Sequence, residues 1–216
     1  MSNSQYSYTS LLLHRDKARS SHVYALQEQM GKDKLSISSA LDSRNSHDMK
    51  EIYDLLHKFG IRIWKNIDPN FAKDQKTKRF YKAKLSVYGS YIKTLLNYEK
   101  SDFIIILQDD AYFKDHVDAI KTIPETYNEN SLSLIKSSRM GQYMSGCIFR
   151  RDFIEDLLKE LQRTGIYRPM DHYLLGPEVS CGIPSGVDKK SMKQLMLRMG
   201  EKFVEVKNFR SNIIQY

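Results

Sequence analysis

Three features of this sequence predict an α/β chain built on a mostly parallel sheet flanked by helices. The first is Phe103–Leu107, a continuous apolar run with three isoleucines, closed by Gln108, Asp109 and Asp110. Such a run suits a strand buried on both faces. The second is the alternation of strand-like and helix-like periodicity from Tyr8 to Trp64, in the order β-α-β-α-β. That order is the signature of a parallel sheet able to bind a nucleotide at its strand ends. The third is the lack of internal repeats or a low-complexity linker across 216 residues, which predicts one domain.

The elements follow in chain order. Tyr8–Leu13 is a β-type run ending at His14-Arg15-Asp16-Lys17. Ser20 and Ser21 are candidate caps for a helix carrying Val23, Leu26 and Met30, with Gly31 as its stop. Leu35–Leu41 alternates as a second strand and ends at Asp42-Ser43-Arg44. His47–Phe59 is amphipathic, with Ile52, Leu55, Leu56 and Phe59 on one side and Gly60 closing it. Ile61–Trp64 reads as a short strand. Asp68–Lys84 reads as a loop or mobile segment: it holds Lys73, Lys76, Lys78, Arg79, Lys82 and Lys84, with Phe80 and Tyr81 among them. Its basic residues are either a solvated face or a phosphate-contacting one, since cations interleaved with aromatics suit nucleic acid. Leu85–Tyr98 is a helix with Val87, Tyr91, Leu95 and Tyr98 on one face, leading into the Phe103 strand. Ser145–Phe149 is a short strand, and Asp152–Thr164 an amphipathic helix stopped by Gly165. Pro169 opens a turn or first helical turn. Gly176–Val187 is loop, and Lys189–Met199 is a short basic helix.

Composition narrows the function classes. Hydrophobic residues make up 41% and charged residues 28%, the balance of a globular protein. No apolar run reaches the length of a membrane span, and Met1–Thr9 lacks the layout of a secretory signal. Cys147 and Cys181 have no metal-ligand spacing and read as reduced thiols of a cytoplasmic protein. The net charge of +8 favours an anionic partner: a nucleotide, a nucleic acid or an anionic membrane surface.

The sharpest chemical signal is Asp109-Asp110. Adjacent carboxylates at the end of a buried strand are costly unless a positive group sits beside them. Ligands of open α/β sheets bind at the carboxyl ends of strands. A hard divalent cation carrying phosphate oxygens is therefore the natural partner; the alternative is a solvated acidic turn.

Three blocks extend the signal. They are Leu11-Leu-Leu-His-Arg-Asp-Lys-Ala-Arg19; then Lys84-Leu-Ser-Val-Tyr-Gly-Ser-Tyr-Ile-Lys93 followed by Ile104–Asp110; then Gly146-Cys-Ile-Phe-Arg-Arg-Asp-Phe-Ile154 with Pro169-Met-Asp-His172. In this order they resemble the lipopolysaccharide-type family of nucleotide-sugar glycosyltransferases, which includes collagen galactosyltransferases and has the GT-A fold. The resemblance spans Leu11 to Leu175. Two positions depart from it: Tyr88 stands near a family His, and Gln108 replaces an acidic residue.

The resemblance implies a GT-A-like (Rossmann-like) sheet in a single domain, with residues 8–110 binding the nucleotide sugar and 111–216 the acceptor. It implies transfer of a sugar from a nucleoside diphosphate sugar, a UDP-sugar in the first instance, with Mn²⁺ or Mg²⁺ as cofactor. Asp109 and Asp110 would hold the metal, with His172 as a further ligand; the alternative for His172 is an ordinary polar residue. Asp171 is the candidate general base, or the carboxylate that orients the acceptor, with Asp110 the other catalytic candidate; the alternative for Asp171 is a helix cap after Pro169. Asp42, with Arg44 beside it at the end of the second strand, could accept ribose hydroxyl bonds as in other nucleotide-binding sheets. Arg15 and Arg19 are phosphate or base contacts or else solvated helix-start residues, and Lys84 and Gln108 are further donor-side candidates. The acceptor is a surface glycan or a hydroxymethylated base in DNA. A non-catalytic nucleotide- or nucleic-acid-binding module on the same sheet is the competing expectation.

Overall fold

The computed structural model describes residues 6–98, 101–113, 131–133, 144–176, 183–188, 190, 192–198 and 204–206. The described residues divide into two compact units. One is drawn from Met1–Ser39, Asn97–Phe153 and Met196–Phe209. The other is drawn from Ala40–Leu96, Ile154–Leu195 and Arg210–Tyr216.

The first unit carries a mostly parallel mixed sheet. Its strands are β1 (Tyr6–Leu12), β2 (Leu35–Ser39), β3 (Phe103–Gln108), β5 (Ser131–Ser133), β6 (Gly146–Arg150) and β7 (Met196–Arg198), in the spatial order β2-β1-β3-β6-β5-β7. β1 runs parallel to both β2 and β3. β6 is antiparallel to β3 and β5, and β5 is parallel to β7. β4 (Ala111–Phe113) and β8 (Val204–Val206) form a separate antiparallel pair.

The apolar run predicted at the centre of the sheet is there. Ile104–Leu107 is buried and pairs with Ser7–Ser10 of β1 on one side and with Gly146–Phe149 of β6 on the other; Thr9–Leu12 and Gly146–Phe149 are buried too. A strand with neighbours on both edges satisfies its backbone through the ladders, which leaves its side chains free to be wholly apolar. Helix α1 (Lys17–Met30) packs on β1 and β2 and buries Val23 and Leu26. It begins at Asp16, whose carboxylate accepts from the Ala18 and Arg19 N–H groups, and not at Ser20 or Ser21. Asp16 is the last side chain before the helix able to reach its orphan donors. Gly31 follows the helix at φ 99°, a conformation that a side chain would strain.

The second unit is mainly helical. Helix α2 (Ser46–Lys58) is capped by Asn45 and buries Met49, Ile52 and Leu56. It packs on α3 (Gln75–Leu96), where Gly89 permits close approach. A Cβ there would come within 2.7 Å of Ile52 Cγ1. Helix α4 (Phe153–Thr164) crosses the division at its first residue, and Leu157 and Leu161 form its buried stripe. Helix α5 (Met170–Leu174) starts directly after Pro169, which is preset for a first helical turn.

Three expectations need correction. Asp68–Lys84 is not loop: Pro69–Phe71 is a 3-10 turn, and α3 is already helical from Gln75. Asp74 explains this, because its carboxylate accepts from Thr77 N–H at 2.7 Å and Thr77 Oγ1 at 2.8 Å, a helix start read as part of a charge run. The lysines and Arg79 that follow are good helix formers. Ile61–Trp64 is not a sheet strand. It makes one parallel bridge, Ile63 to Ile166, with Trp64 N–H donating to the Ile166 carbonyl at 2.9 Å. The third parallel strand beside β1 is β3 instead. Within Lys189–Met199, Met196–Arg198 is strand β7, because pairing with β5 overrides local helix preference. Lys189, Ser191, Met199 and Cys181 lie outside the described residues, as does most of 114–143. Cys147 is a buried free thiol. Among the described residues no helix is long and apolar enough to cross a membrane.

Candidate functional site

The order β2-β1-β3 sets up the site. From β1 the chain passes through α1 to β2 on one side, and it returns later as β3 on the other side. The carboxyl ends of β1 and β3 therefore flank a topological switch point, where open α/β sheets bind ligands. Leu12 and Leu13 end β1 there, and Gln108, Asp109 and Asp110 end β3.

Both aspartates turn inward onto one cation. Arg19, from the first turn of α1, is only 5% exposed, and Asp109 only 6%. Arg19 Nη1 donates to Asp109 Oδ1 and, at 3.2 Å, to Asp110 Oδ2. Arg19 Nε lies 3.5 Å from Asp16 Oδ2. The second oxygen of Asp109 accepts from the Leu13 N–H at 3.2 Å. Asp110 Oδ1 is buried with no hydrogen-bond partner among the described residues.

Among the described residues the charge count is uneven: the carboxylates of Asp16, Asp109 and Asp110 share one guanidinium. Burial raises the Asp109 pKa, and Arg19 opposes that without cancelling it. Asp110 is likewise raised by burial, with the Asp109 charge adding to the rise. Burial works against the Arg19 charge, but Asp109 and Asp110 together outweigh it, so the guanidinium is held charged.

Gln108 donates its backbone N–H to the Ser145 carbonyl at 2.9 Å, tying the same strand end to the approach to β6. Arg15 is exposed in the turn between β1 and α1.

A second cluster of expected residues lies in the other unit. His172 Nε2 lies 3.9 Å from Asp171 Oδ2 on α5. Lys84 of α3 lies within electrostatic range of Asp171, and burial lowers its pKa while Asp171 partly restores it. Its ammonium stands 4.8 Å from the centroid of the Phe80 ring. Tyr88, one turn further along α3, is fully buried and donates to the Arg168 carbonyl at 2.9 Å. Burial raises its pKa well above the ordinary tyrosine range. Asp42 and Arg44 sit together in the turn before α2: Asp42 Oδ1 accepts from Arg44 N–H at 2.9 Å, and Asp42 N–H donates to Asp48 Oδ2 at 2.7 Å.

The structure thus gathers Arg19, Gln108, Asp109 and Asp110 at one strand end of the first unit, and Lys84, Asp171 and His172 within the second unit. Sequence reasoning missed Asp16 and the Leu13 N–H as members of the first cluster. Asp16 had a local signal, being an N-cap residue placed three before Arg19. Comparison of the chain with family models and with curated proteins finds no match.

Proposed function

We propose that the chain is a glycosyltransferase that moves a sugar from a nucleoside diphosphate sugar to a hydroxyl of a glycan or of a hydroxymethylated base in DNA. The donor diphosphate binds at the β1/β3 switch point. One observation carries this: a buried acidic pair, only partly neutralised, ends β3 beside the carboxyl end of β1. Burying unbalanced charge is costly for a fold and is characteristic of a site awaiting a charged ligand.

The residues suit a divalent cation. Asp109 and Asp110 would hold Mn²⁺ or Mg²⁺, and the orphan Oδ1 of Asp110 is the atom most in need of one. When bound, the cation neutralises the leaving diphosphate. In the transfer, the anomeric carbon–oxygen bond to the diphosphate breaks and a bond to the acceptor oxygen forms. The acceptor proton passes to a base, and the nucleoside diphosphate leaves. Arg19 is the protein's own cation at this place, poised to share its donors between the aspartates and a phosphate oxygen. The Leu13 N–H fixes the orientation of Asp109.

A second reading rests on the same arginine. A guanidinium that binds both carboxylates is also what a structural ion-pair cluster needs, and it favours a non-catalytic binding module on this sheet. The separating experiment incubates the protein with a panel of nucleotide sugars and Mn²⁺, with and without glycan or hydroxymethylated DNA, and follows product masses. The proposal expects metal-dependent loss of one donor and a hexose or pentose mass on one acceptor. A panel in which every donor survives unchanged supports the binding module.

A further inference from the structure

We infer that the 3-10 turn and the first two turns of α3 form a binding face for single-stranded nucleic acid. The residues from Lys65 to Lys84 carry Lys65, Lys73, Lys76, Lys78, Arg79, Lys82 and Lys84 against only Asp68 and Asp74. Asp74 is occupied in starting α3 through Thr77, and the nearby Lys76 charge is its neighbour. Asp68 is occupied in capping the 3-10 turn through Asn70 N–H. Lys84 faces Asp171, whereas among the described residues Lys65, Lys73, Lys78, Arg79 and Lys82 form no ion pair, so most of the positive charge on this stretch is not spent in ion pairs. Its cations stand at the protein surface, with Lys73, Lys76 and Arg79 exposed and Lys78 and Lys82 half-buried.

The aromatic residues give the face its chemistry. Among the described residues three large apolar side chains are exposed, and two of them belong to this stretch: Phe71 at 56% and Phe80 at 41%. The 3-10 turn packs against α3, so the two rings belong to adjoining elements. Each ring has an ammonium over it, Lys65 at 5.3 Å from Phe71 and Lys84 at 4.8 Å from Phe80. Tyr81 adjoins Phe80 at 6.2 Å between centroids.

A nucleotide needs just this pairing, a flat apolar surface for the base and a cation for its phosphate. Bases stack on exposed aromatic rings without sequence preference, while a basic surface follows the backbone. In duplex DNA the bases are already stacked on one another, so the rings would find no partner there. A single strand is the occupant that uses both features, and charge complementarity with the +8 chain supports it. This inference uses neither Asp109 nor Asp110; the residue it shares with the sugar-transfer reading is Lys84, which its variants leave in place.

The test uses fluorescence anisotropy of a labelled oligothymidylate about 20 nucleotides long, long enough to exceed a typical binding site. The same strand in a duplex, and vesicles of phosphatidylglycerol with phosphatidylcholine, run in parallel. The wild-type protein should bind the single strand more tightly than the duplex, with log affinity falling linearly in log salt. Lys78→Gln, Arg79→Gln and Lys82→Gln together should reduce that slope by about two, at roughly 0.7 per phosphate contact on a single strand. Phe71→Ala with Phe80→Ala should cost at least about fivefold in single-strand affinity and leave the salt slope unchanged. Both rings are exposed, so circular dichroism and thermal unfolding should report an intact fold in that variant. Equal affinity for single strand and duplex with no effect of the phenylalanine changes would overturn the inference, leaving a generic polycationic surface. Binding to the vesicles alone would also overturn it.

Discussion

The two clusters of charged residues handle burial in opposite ways. In the first, among the described residues, Asp109 and Asp110 are enclosed with the Arg19 guanidinium, so carboxylates outnumber cations, and one oxygen of Asp110 has no hydrogen-bond partner. In the second, Lys84 and Asp171 are one charge of each sign, and the carboxylate lies in a half-buried helix start with His172 beside it. The difference separates a carboxylate pair that a fold tolerates at a cost from a carboxylate that any helix start could carry. Burying the acidic pair costs the fold more than burying a balanced pair would.

The largest expected effect comes from breaking the first cluster. Arg19→Met removes the cation that both buried carboxylates contact and should cost about 3–5 kcal/mol of unfolding free energy in urea. The loss should shrink as pH is lowered, because protonation relieves the same carboxylates. Lys84→Met, by contrast, removes a cation whose own burial already opposes its charge, and should change stability by less than about 1 kcal/mol. Equal losses for the two variants would erase the distinction between the clusters.

Proton linkage sharpens the comparison through opposite signs. The Asp109 and Asp110 carboxyls have folded pKa values above 3.8, so folding takes up protons. Their contribution to stability is greatest at low pH and falls as pH rises from 3.8 through the folded values. Lys84 has a folded pKa below 10.5, so folding releases a proton, and its contribution improves as pH climbs from the folded value to 10.5. Asp110→Asn should flatten the acid-side slope and leave the alkaline one alone, with Lys84→Met doing the reverse. Urea titrations across pH check both. Tyr88→Phe loses one buried hydrogen bond to the Arg168 carbonyl and should cost about 1 kcal/mol, well short of the Arg19→Met loss.

What could be read in the sequence was local. Phe103–Leu107 announced a doubly covered strand by its unbroken apolar run, and Asp109-Asp110 marked its end. The stripe of Phe153, Leu157 and Leu161 gave α4 directly. The start of α3 was hidden because its solvent face is basic, so the first two turns show charge where a periodic pattern would be sought, and only the Asp74–Thr77 cap marks them. Met196–Arg198 became a strand through pairing with Ser131–Ser133, a partner some sixty-five residues away that no local window contains. The same limit explains the candidate site. A positive group beside the two aspartates is expected from the sequence, but nothing local marks Arg19, 90 residues from Asp109, as that group rather than as a donor contact or a solvated helix start, because only the folded sheet brings α1 and the end of β3 together.

The most direct test of the account is Asp110→Asn, measured for turnover and thermal stability on the same preparation. If the acidic pair is held at the β1/β3 switch point for a donor diphosphate, metal-dependent turnover of the nucleotide sugar should fall by about 100-fold or more. The melting temperature should stay level or rise, by an amount corresponding to about 1 kcal/mol, because one of two crowded buried charges is gone. Wild-type turnover in Mn²⁺ together with a lowered melting temperature would contradict the account: the pair would then be a structural partner of Arg19 and nothing more.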